Sequence, residues 1–392
     1  MSVRFPRPLV HGYATPTSAV GGRVNILVVK PSSLGDIIHT LPAVALLRRH
    51  CPEAVISWLV DDRFAGILDL CPEVDDVVIF RRRRLGRPQH WHAILPLVRD
   101  LRQRRFDVAL DFQGLLRSGL LVLASGAPRR VGFQNAREGA VFFYTERVPL
   151  PANLEHAAEK NLFLVRSAFD ALETATAPEV CARPADVRRA QALFERGGIT
   201  PERPLLAVAP GARWPSKQWP PEFFAAVLDD VATRVPEAEC WLLGSADDGA
   251  VAAAVADACC VCEPCNLAGK TDLGTLAELL RRSKVLLTND SGPMHLAALL
   301  GVPVVALFGP TDPRLTGPFG QGHRVFRGEC DRRPCLARQC PLGEQVCQQT
   351  IAPREVASGI VEKLRIPGTP EVATDRQTHR PEPLDDITAV EP

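Results

Sequence analysis

The chain alternates short, almost wholly apolar runs with longer segments in which apolar residues recur at helical spacing. Apolar runs rich in β-branched residues are typical of parallel strands that are buried on both faces. Their regular alternation with helices indicates an open parallel sheet. In the first half of the chain, the pattern predicts strands over residues 23–30, 55–60, 74–80 and 106–110, helices over 37–49, 91–105 and 115–123, and a helix-like stretch over 64–70.

The same alternation restarts after a polar, alanine-rich passage that contains prolines, at residues 175–204. We therefore predict an α/β protein with two Rossmann-like domains that face a central cleft, at residues 23–180 and 200–366. Residues 1–22 are predicted to be a flexible extension, and the tail at 367–392 to be disordered. The second half is predicted to have strands over 205–209, 239–243, 285–288 and 303–308 and helices over 221–235, 247–258, 273–281 and 294–300.

Composition limits the partners. A length of 392 residues with 46% hydrophobic residues is ample for two full-sized cores. The net charge of +1 creates no global attraction for nucleic acid, so we expect no nucleic-acid partner. Arginines are concentrated in the N-terminal half, at positions 81–84, 87, 102, 104, 105, 129 and 130. Such a concentration is explained either by a solvated face or by a basic surface that faces an anionic acceptor.

No segment of the sequence resembles a signal peptide or a membrane span. The longest apolar candidate, residues 294–308, is interrupted by Gly301 and Pro303. We therefore expect a cytoplasmic protein, in which the 12 cysteines do not form a disulfide framework. A structural metal, a disulfide pair and unlinked thiols remain alternatives for a loosely spaced group formed by Cys330, Cys335, Cys340 and Cys347.

Three loops at predicted strand ends carry candidate chemistry, and ligands bind at such ends in open α/β sheets. The first loop, KPSSLGD at residues 30–36, places Asp36 at the start of a helix, where it is either a functional carboxylate or a charge that favours the helix dipole. The second loop, residues 210–220, contains Arg213 and Lys217, which can neutralise phosphate, and Gly211, which allows close backbone contact.

The third loop is the turn NDSGP at residues 289–293. The backbone N–H groups near Ser291 and Gly292 stand at a helix N-terminus, where a diphosphate is stabilised by aligned dipoles. Asp290 and His295 flank the turn, so the site can hold both a phosphate and a sugar hydroxyl. Since any α/β protein has such turns, the turn alone does not identify a site.

Five ordered segments carry a family resemblance: ILVVKPSSLGDIIHTLPAVALLRR, FDVALDFQGLLRSGLL, GFQNARE, PGARWPSKQWP and TNDSGPMHLAALLGVPVVALFGPTDP. Together they resemble glycosyltransferase family 9, the ADP-heptose:lipopolysaccharide heptosyltransferases, over about residues 24–366. The resemblance implies a GT-B fold, with the acceptor on the N-terminal domain and the nucleotide sugar mainly on the C-terminal one. It also implies inversion at the anomeric carbon without a catalytic metal or other cofactor.

Carried onto this sequence, the resemblance assigns Asp36 as the general base that takes the proton of the acceptor hydroxyl. It assigns Lys217 to the donor phosphates, and Asp290 and His295 to the donor diphosphate and sugar. It adds, as further donor residues, Arg213, Asp248 or its neighbour Asp247 at the ribose, Thr271 near the adenine, Ser291 and Gly292. As acceptor residues it gives Ser32, Ser33, Gly35, Arg63, Gln113 and Arg137.

One position departs from some members of the family. Gly-Ala-Arg precedes Lys217 here, where certain first-heptose enzymes have threonine hydroxyls. Arg213 can supply a charge instead, and Ala212 can contact the donor only through its backbone.

The function expected from this resemblance is inverting transfer of a heptose from ADP-heptose to the inner core of lipopolysaccharide. The acceptor is Kdo-lipid A or its heptosylated form, reached transiently at the inner face of the cytoplasmic membrane. The alternatives are a family member that uses another nucleotide sugar or acceptor, a nucleotide-sugar 2-epimerase, and a non-enzymatic nucleotide-sugar-binding protein at the membrane.

Overall fold

Two six-stranded parallel sheets form the scaffold of the computed structural model, which describes residues 23–81, 94–173, 177–197, 203–343 and 345–365. The strands of the first sheet are β1 (Asn25–Val29), β2 (Val55–Asp61), β3 (Asp76–Phe80), β4 (Val108–Asp111), β5 (Arg129–Phe133) and β6 (Glu146–Val148). Those of the second are β7 (Leu205–Ala209), β8 (Glu239–Leu242), β9 (Cys265–Asn266), β10 (Val285–Asn289), β11 (Val304–Phe308) and β12 (Arg324–Arg327). The predicted α/β class is confirmed.

The two sheets have the same topology. The first has the order β3-β2-β1-β4-β5-β6, and the second has the order β9-β8-β7-β10-β11-β12. The strand order therefore reverses between β1 and β4 and again between β7 and β10, and such reversals are where open α/β sheets bind ligands. All three candidate loops follow strands at these reversals: residues 30–36 follow β1, residues 210–220 follow β7, and the turn after Asn289 follows β10.

Helices cover the sheets and bury the apolar runs of the strands. Along β1, Ile26 and Val28 pack on one side of the sheet while Leu27 and Val29 pack on the other. Each such fully buried side chain contributes roughly 1.5–3 kcal/mol. The helices are α1 (Leu34–Ile38), α2 (Leu41–His50), α3 (Ile94–Gln103), α4 (Leu116–Ala124), α5 (Ala157–Phe169), α6 (Pro184–Arg196), α7 (Pro221–Arg234), α8 (Gly249–Ala258), α9 (Leu273–Arg282), α10 (Gly292–Leu299), α11 (Pro313–Thr316), α12 (Val346–Gln349) and α13 (Pro353–Arg365).

The helix predicted over residues 37–49 is two helices. The first ends at Ile38 and the second begins at Leu41. Pro42 lies in the first turn of the second helix, where its missing N–H costs nothing, whereas inside a continuous helix it would remove a hydrogen bond. The predicted helix-like stretch at 64–70 is part of a 3₁₀ helix, Asp62–Leu70. Residues 82–93, which contain most of the arginine run, and the predicted terminal segments at 1–22 and 367–392 lie outside the described residues.

The passage at 175–204 contains a helix that was not predicted, α6, which packs on α9. Its contact is made through Asp186, whose fully buried carboxylate accepts hydrogen bonds from Arg183 (2.8 Å) and Arg189 (2.6 Å). On the opposite side, Gly274 of α9 leaves room for that carboxylate, because a Cβ there would overlap it. The glycine and the buried ion pairs thus attach α6 to the second sheet's helices.

We expect Gly274→Ala to destabilise the fold by about 1–3 kcal/mol, because the added methyl displaces the buried Asp186 carboxylate. Gly249→Ala is the matched control: Gly249 also lies in the first turn of a helix, but a Cβ there meets no atom within 4 Å. It should be neutral or add up to about 1 kcal/mol of stability. Urea unfolding measures both, and equal effects would contradict the packing of α6.

Candidate active site

The N-termini of two helices meet across the cleft: α1, which follows β1 of the first sheet, and α10, which follows β10 of the second. A Cβ at Gly35 in α1 would lie 2.5 Å from Cδ2 of His295 in α10. Likewise, a Cβ at Gly292 would lie 2.7 Å from a methyl carbon of Leu34. Real Cβ atoms do not approach so closely, so the contact requires glycine on both sides. The first and third candidate loops therefore border one shared cleft.

Asp36 is a half-buried carboxylate held in a fixed orientation. Its Oδ2 accepts hydrogen bonds from the backbone N–H (2.9 Å) and the hydroxyl (2.7 Å) of Ser33. Burial acts to raise the pKa of Asp36, but the charge of Lys30 and the two bonds from Ser33 outweigh it and lower that pKa below its usual value. The carboxylate is therefore ionised at neutral pH and able to accept a proton.

Lys30 is the cation that accompanies Asp36 at the end of β1. Its side chain is buried, and its ammonium donates to the carbonyl of Phe112 at 2.9 Å. Burial lowers the pKa of Lys30, while the carboxylates of Asp36 and Asp111 act to raise it. The sequence analysis placed Lys30 in the first loop without assigning it a role. A buried lysine directly after a strand, six residues before an acidic residue, was the available signal.

His295 connects the two sides of the site. Burial lowers its pKa to about 4, with the charge of Asp36 acting to raise it and that of Lys217 to lower it. Gly35, next to Asp36, lies against this imidazole, and Asp290, which holds Lys217, lies five residues before it at the start of the same turn.

Two further histidines complete an aromatic contact across the cleft. The ring of His39 lies edge-on to those of His295 and His156, with centroids 4.4 and 5.0 Å apart. His156 also stacks on Phe319 at 5.0 Å. Burial holds the pKa of His39 well below its usual range, so this ring is neutral. Neither His39 nor His156 was predicted, because their approach depends on the tertiary fold.

Lys217 of the second loop is fixed against Asp290 of the third loop. Its Nζ lies 2.6 Å from Oδ2 of Asp290, and the same oxygen accepts a hydrogen bond from Thr311 at 2.7 Å. The ammonium also lies 4.8 Å from the ring centroid of Trp214. Asp290 thus holds the predicted phosphate-binding lysine next to the N-terminus of α10, where the predicted residues Ser291 and Gly292 lie.

The backbone of the Lys217 loop is supported from behind by buried polar side chains. Asn289 accepts from the N–H of Trp219 (3.1 Å) and donates to the carbonyl of Pro210 (2.7 Å). The side-chain amide of Gln348 donates to the carbonyl of Lys217 (2.8 Å), and the backbone carbonyl of Gln348 accepts from the Trp219 indole N–H (3.0 Å). The sequence analysis missed Gln348, which lies 131 residues beyond Lys217 and has no local signal.

Asp248 lies at the mouth of the second loop. Its Oδ2 accepts from the N–H (2.8 Å) and hydroxyl (2.7 Å) of Ser245, and its carboxylate lies against Gly211 and Gly244, where any Cβ would overlap it. The neighbouring Asp247 is exposed. Of the other predicted donor residues, Arg213 is exposed and Thr271 half-buried.

The predicted acceptor residues lie at the carboxyl ends of β1, β2 and β4 and in the loop after β5. Arg63 forms a two-point ion pair with the buried Asp61, at 2.8 and 2.9 Å. Gln113 follows Asp111, whose Oδ1 accepts its N–H at 2.9 Å. Arg137 is exposed, and its N–H donates to the carbonyl of Gly114.

A cavity of about 210 Å³ opens beside these residues. Gln113 and Ser32 contribute polar groups to it, and the side-chain oxygen of Gln113 is buried without a protein partner. Arg117 and Glu138 line it as well, although neither was predicted. Pro31 and Ser32, which line the cavity, belong to the same loop as the predicted base Asp36.

The four late cysteines lie in the segment that follows β12 and contacts the Lys217 loop. Burial and the neighbouring thiols of Cys330, Cys335 and Cys340 raise the pKa of Cys347 to about 11. All twelve cysteines are free in the structure, and within the described ranges no three side chains of the kinds that bind metals converge on one point. The same segment contacts the loop directly, because Ser216 donates to the carbonyl of Ala337 at 2.6 Å.

Comparison with known proteins identifies the family. The model of glycosyltransferase family 9 (heptosyltransferase) matches residues 94–345. Over 377 residues the chain is 30% identical to lipopolysaccharide heptosyltransferase 1 of Pseudomonas aeruginosa, covering 88% of this chain and 99% of that protein. The chain belongs to glycosyltransferase family 9. It is therefore a glycosyltransferase enzyme, and the family resemblance of its five segments is confirmed.

Other relatives and solved structures agree with this family 9 membership. Lipopolysaccharide heptosyltransferase 2 of Escherichia coli is 27% identical, over 78% of this chain and 88% of that protein. The structure of E. coli ADP-heptose lps heptosyltransferase II superimposes with a TM-score of 0.69 and 26% identity, covering 87% of this chain and 98% of that one. The E. coli heptosyltransferase WaaC with ADP gives 0.70 at 24% identity, covering 87% and 100%. The GT-B fold is thereby confirmed.

Across the parts of this family 9 chain that the structure describes, no helix combines the length and apolarity needed to cross a bilayer.

We expect the pH dependence of stability to report the buried His295. Because its pKa is about 4 in the fold and about 6.5 in the unfolded chain, the unfolded state binds a proton first as the pH falls. The fold is favoured fully above pH 6.5 and loses this contribution towards pH 4. From pH 7 to pH 5 the loss attributable to His295 is about 2 kcal/mol.

His295→Phe should reduce the difference in unfolding free energy between pH 7 and pH 5 by that amount, measured by urea titration at both pH values. Because the comparison is made within each protein, a change in stability at pH 7 does not affect it. An unchanged difference in the variant would contradict the buried neutral imidazole.

Proposed function

We propose that this family 9 enzyme transfers a heptose, with inversion, from ADP-heptose to the lipid A-linked inner core of lipopolysaccharide. The observation that carries the proposal is the contact between the N-termini of α1 and α10, where Gly35, next to Asp36, lies against His295 and where Asp290 holds Lys217. The carboxylate of Asp36 suits the attacking hydroxyl, and the ammonium of Lys217 suits the departing diphosphate. The names of the relatives, lipopolysaccharide heptosyltransferases 1 and 2, support the choice of sugar and acceptor.

Asp36 is proposed as the general base. Ser33 fixes one carboxylate oxygen, which leaves the other to approach an acceptor hydroxyl. As that hydroxyl oxygen attacks the anomeric carbon from the face opposite the diphosphate, its proton passes to the carboxylate. Lys30 keeps the carboxylate ionised before the reaction. The attack from the opposite face inverts the anomeric configuration.

The donor side stabilises the leaving group. Negative charge grows on the diphosphate as the bond to the sugar breaks in an oxocarbenium-like transition state. Lys217 and the first N–H groups of α10, at Ser291 and Gly292, supply positive charge that is already in position. Asp248 is proposed for the ribose and Thr271 for the adenine, while Asp290 and His295 border the sugar. This scheme uses no metal or other cofactor.

The acceptor is proposed to occupy the N-terminal domain, residues 23–180, and the donor mainly the C-terminal domain, residues 200–366. The cavity beside Ser32 and Gln113, with Arg63 and Arg137 at the same edge of the sheet, suits an inner core that carries carboxylates and phosphates. Such an acceptor places the enzyme at the inner face of the cytoplasmic membrane.

A nucleotide-sugar 2-epimerase is the alternative of a different reaction class. It would act on the donor alone and have no use for a base beside an acceptor cavity. Acceptor-dependent release of ADP from ADP-heptose, followed with the purified protein and Kdo-lipid A or heptosylated Kdo-lipid A, tests the proposal. ADP release without acceptor, or turnover of ADP-glucose or UDP-sugars in preference, would overturn it.

We expect Asp36→Asn to lower the rate of heptose transfer by at least about 100-fold, since loss of a general base typically costs 10²–10⁴. Asparagine keeps an oxygen for the Ser33 bonds, so ADP-heptose affinity should change little. Asp107→Asn, at the opposite end of the first sheet, is the control and should transfer normally. Near-normal transfer by Asp36→Asn would remove the base assignment.

Lys217→Ala should weaken ADP and ADP-heptose alike, by at least about 10-fold, because both ligands lose the same charge-assisted contact. Calorimetric titration measures the affinities, and Lys284→Ala, at the start of β10 and remote from its turn, is the control. Unchanged ADP affinity in Lys217→Ala would exclude a phosphate contact.

A further inference from the structure

Helix α4 has an apolar face that is exposed. Leu116, Leu120 and Leu123 have 42%, 46% and 45% of their surface exposed. Their spacing of four and three residues puts them on one stripe of the helix. The other side of the helix already supplies the core with Leu121 and Val122. We refer to Leu116, Leu120 and Leu123 as the leucine stripe.

An exposed aromatic ring widens the leucine stripe. Phe142 is 78% exposed and belongs to the 3₁₀ turn Ala140–Phe143, which packs beside α4. The packing is close, because a Cβ at Gly119 would lie 2.7 Å from the Phe143 ring. The exposed Phe142 therefore belongs to a turn that packs closely on the helix of the leucine stripe.

Helix α3, which lies beside α4, adds exposed apolar residues near the leucine stripe. Helices α3 and α4 follow strands of one parallel sheet, so they run in the same direction. Arg102, near the end of α3, donates a hydrogen bond to the carbonyl of Ala124 at the end of α4, at 3.4 Å. Their N-terminal ends therefore lie at the same edge of the sheet. Ile94 and Leu95, 41% and 64% exposed, begin α3 there, at the level of Leu116.

The segment that carries this apolar surface is rich in arginine, although the carboxylate of Glu138 accepts the N–H of Leu116. Residues 94–148 contain nine arginines and no lysine against five aspartates and glutamates, although the whole chain has a net charge of only +1. The exposed arginines include Arg99, Arg102, Arg117 and Arg137. An apolar stripe with a basic border is typical of a surface that inserts into the headgroup region of an anionic bilayer.

The leucine stripe is continuous with the acceptor cavity. Arg117, Ser118 and Leu121 of the same helix line that cavity, and Ser32 of the Asp36 loop lines its other side. A bilayer in contact with α4 would therefore present its headgroups at the cavity mouth, a few residues from the proposed base.

We propose that the leucine stripe, with Phe142 and Leu95, docks this enzyme on an anionic lipid bilayer so that the acceptor headgroup enters the cavity directly. The inference rests on the proposed function, because a lipid-linked acceptor is what gives the docking its use. A second copy of this chain is the competing occupant of the same surface.

Co-sedimentation with lipid vesicles tests the docking surface. The full chain and the variant Leu116→Gln/Leu120→Gln/Leu123→Gln are mixed with vesicles of phosphatidylcholine alone or with about 30% phosphatidylglycerol. The matched control, Leu172→Gln/Val187→Gln/Val261→Gln, changes three aliphatic residues that are 88%, 45% and 60% exposed elsewhere. Circular dichroism and ADP affinity show that each protein is folded.

We expect the wild-type protein and the control to bind the anionic vesicles, with binding weakened by salt, and the leucine variant to bind at least about 10-fold more weakly. Equal binding by all three proteins would overturn the docking surface. So would a wild-type dimer that the leucine substitutions convert to a monomer in light scattering, since the stripe would then join two copies.

Activity separates this inference from the proposed function. The leucine variant should retain transfer to a delipidated inner-core oligosaccharide while transfer to acceptor in vesicles falls at least about 10-fold. Vesicle binding without any acceptor-dependent ADP release would overturn the proposed function. ADP release from vesicle-borne acceptor that is insensitive to the leucine substitutions would overturn the docking surface.

Discussion

The close contact between the N-termini of α1 and α10 is the constraint on which the site depends. Gly35 lies against His295, and Gly292 lies against Leu34, so neither helix can carry a side chain at the point of approach. The contact brings together groups from two separate sheets. Without it, Asp36 and Lys217 would be features of two unrelated loops, and the neutral imidazole between them would lose its burial.

Burial determines the charge state of nearly every group near this contact. Desolvation lowers the pKa of Lys30 and of the histidines at positions 39, 156 and 295, and raises that of Asp111. Asp36 is the exception, because a buried ammonium and two hydrogen bonds from one serine outweigh its desolvation. The cleft thus combines neutral histidine rings with the ionised carboxylate of Asp36. On the side of the second sheet, Lys217 forms a fixed ion pair with Asp290.

Sequence periodicity was sufficient for the α/β class and for the strands that carry the three candidate loops. It was insufficient where a single residue changes the geometry, as Pro42 does by dividing the predicted helix, and where a helix such as α6 buries a charged residue, Asp186, in its packing face. The predicted site residues were those that lie in local motifs. Residues such as His39 and Gln348 escaped prediction because their contacts join parts of the chain that are more than a hundred residues apart.

Gln348 has a consequence for the order in which the molecule can mature. Its side chain bonds the carbonyl of Lys217, and its carbonyl holds the indole of Trp219. The Lys217 loop is therefore left without this support until the 131 residues up to Gln348 have been synthesised. A nascent chain can form its first sheet early, since all six strands end by Val148. The Lys217 loop is completed only later, once Gln348 has emerged from the ribosome.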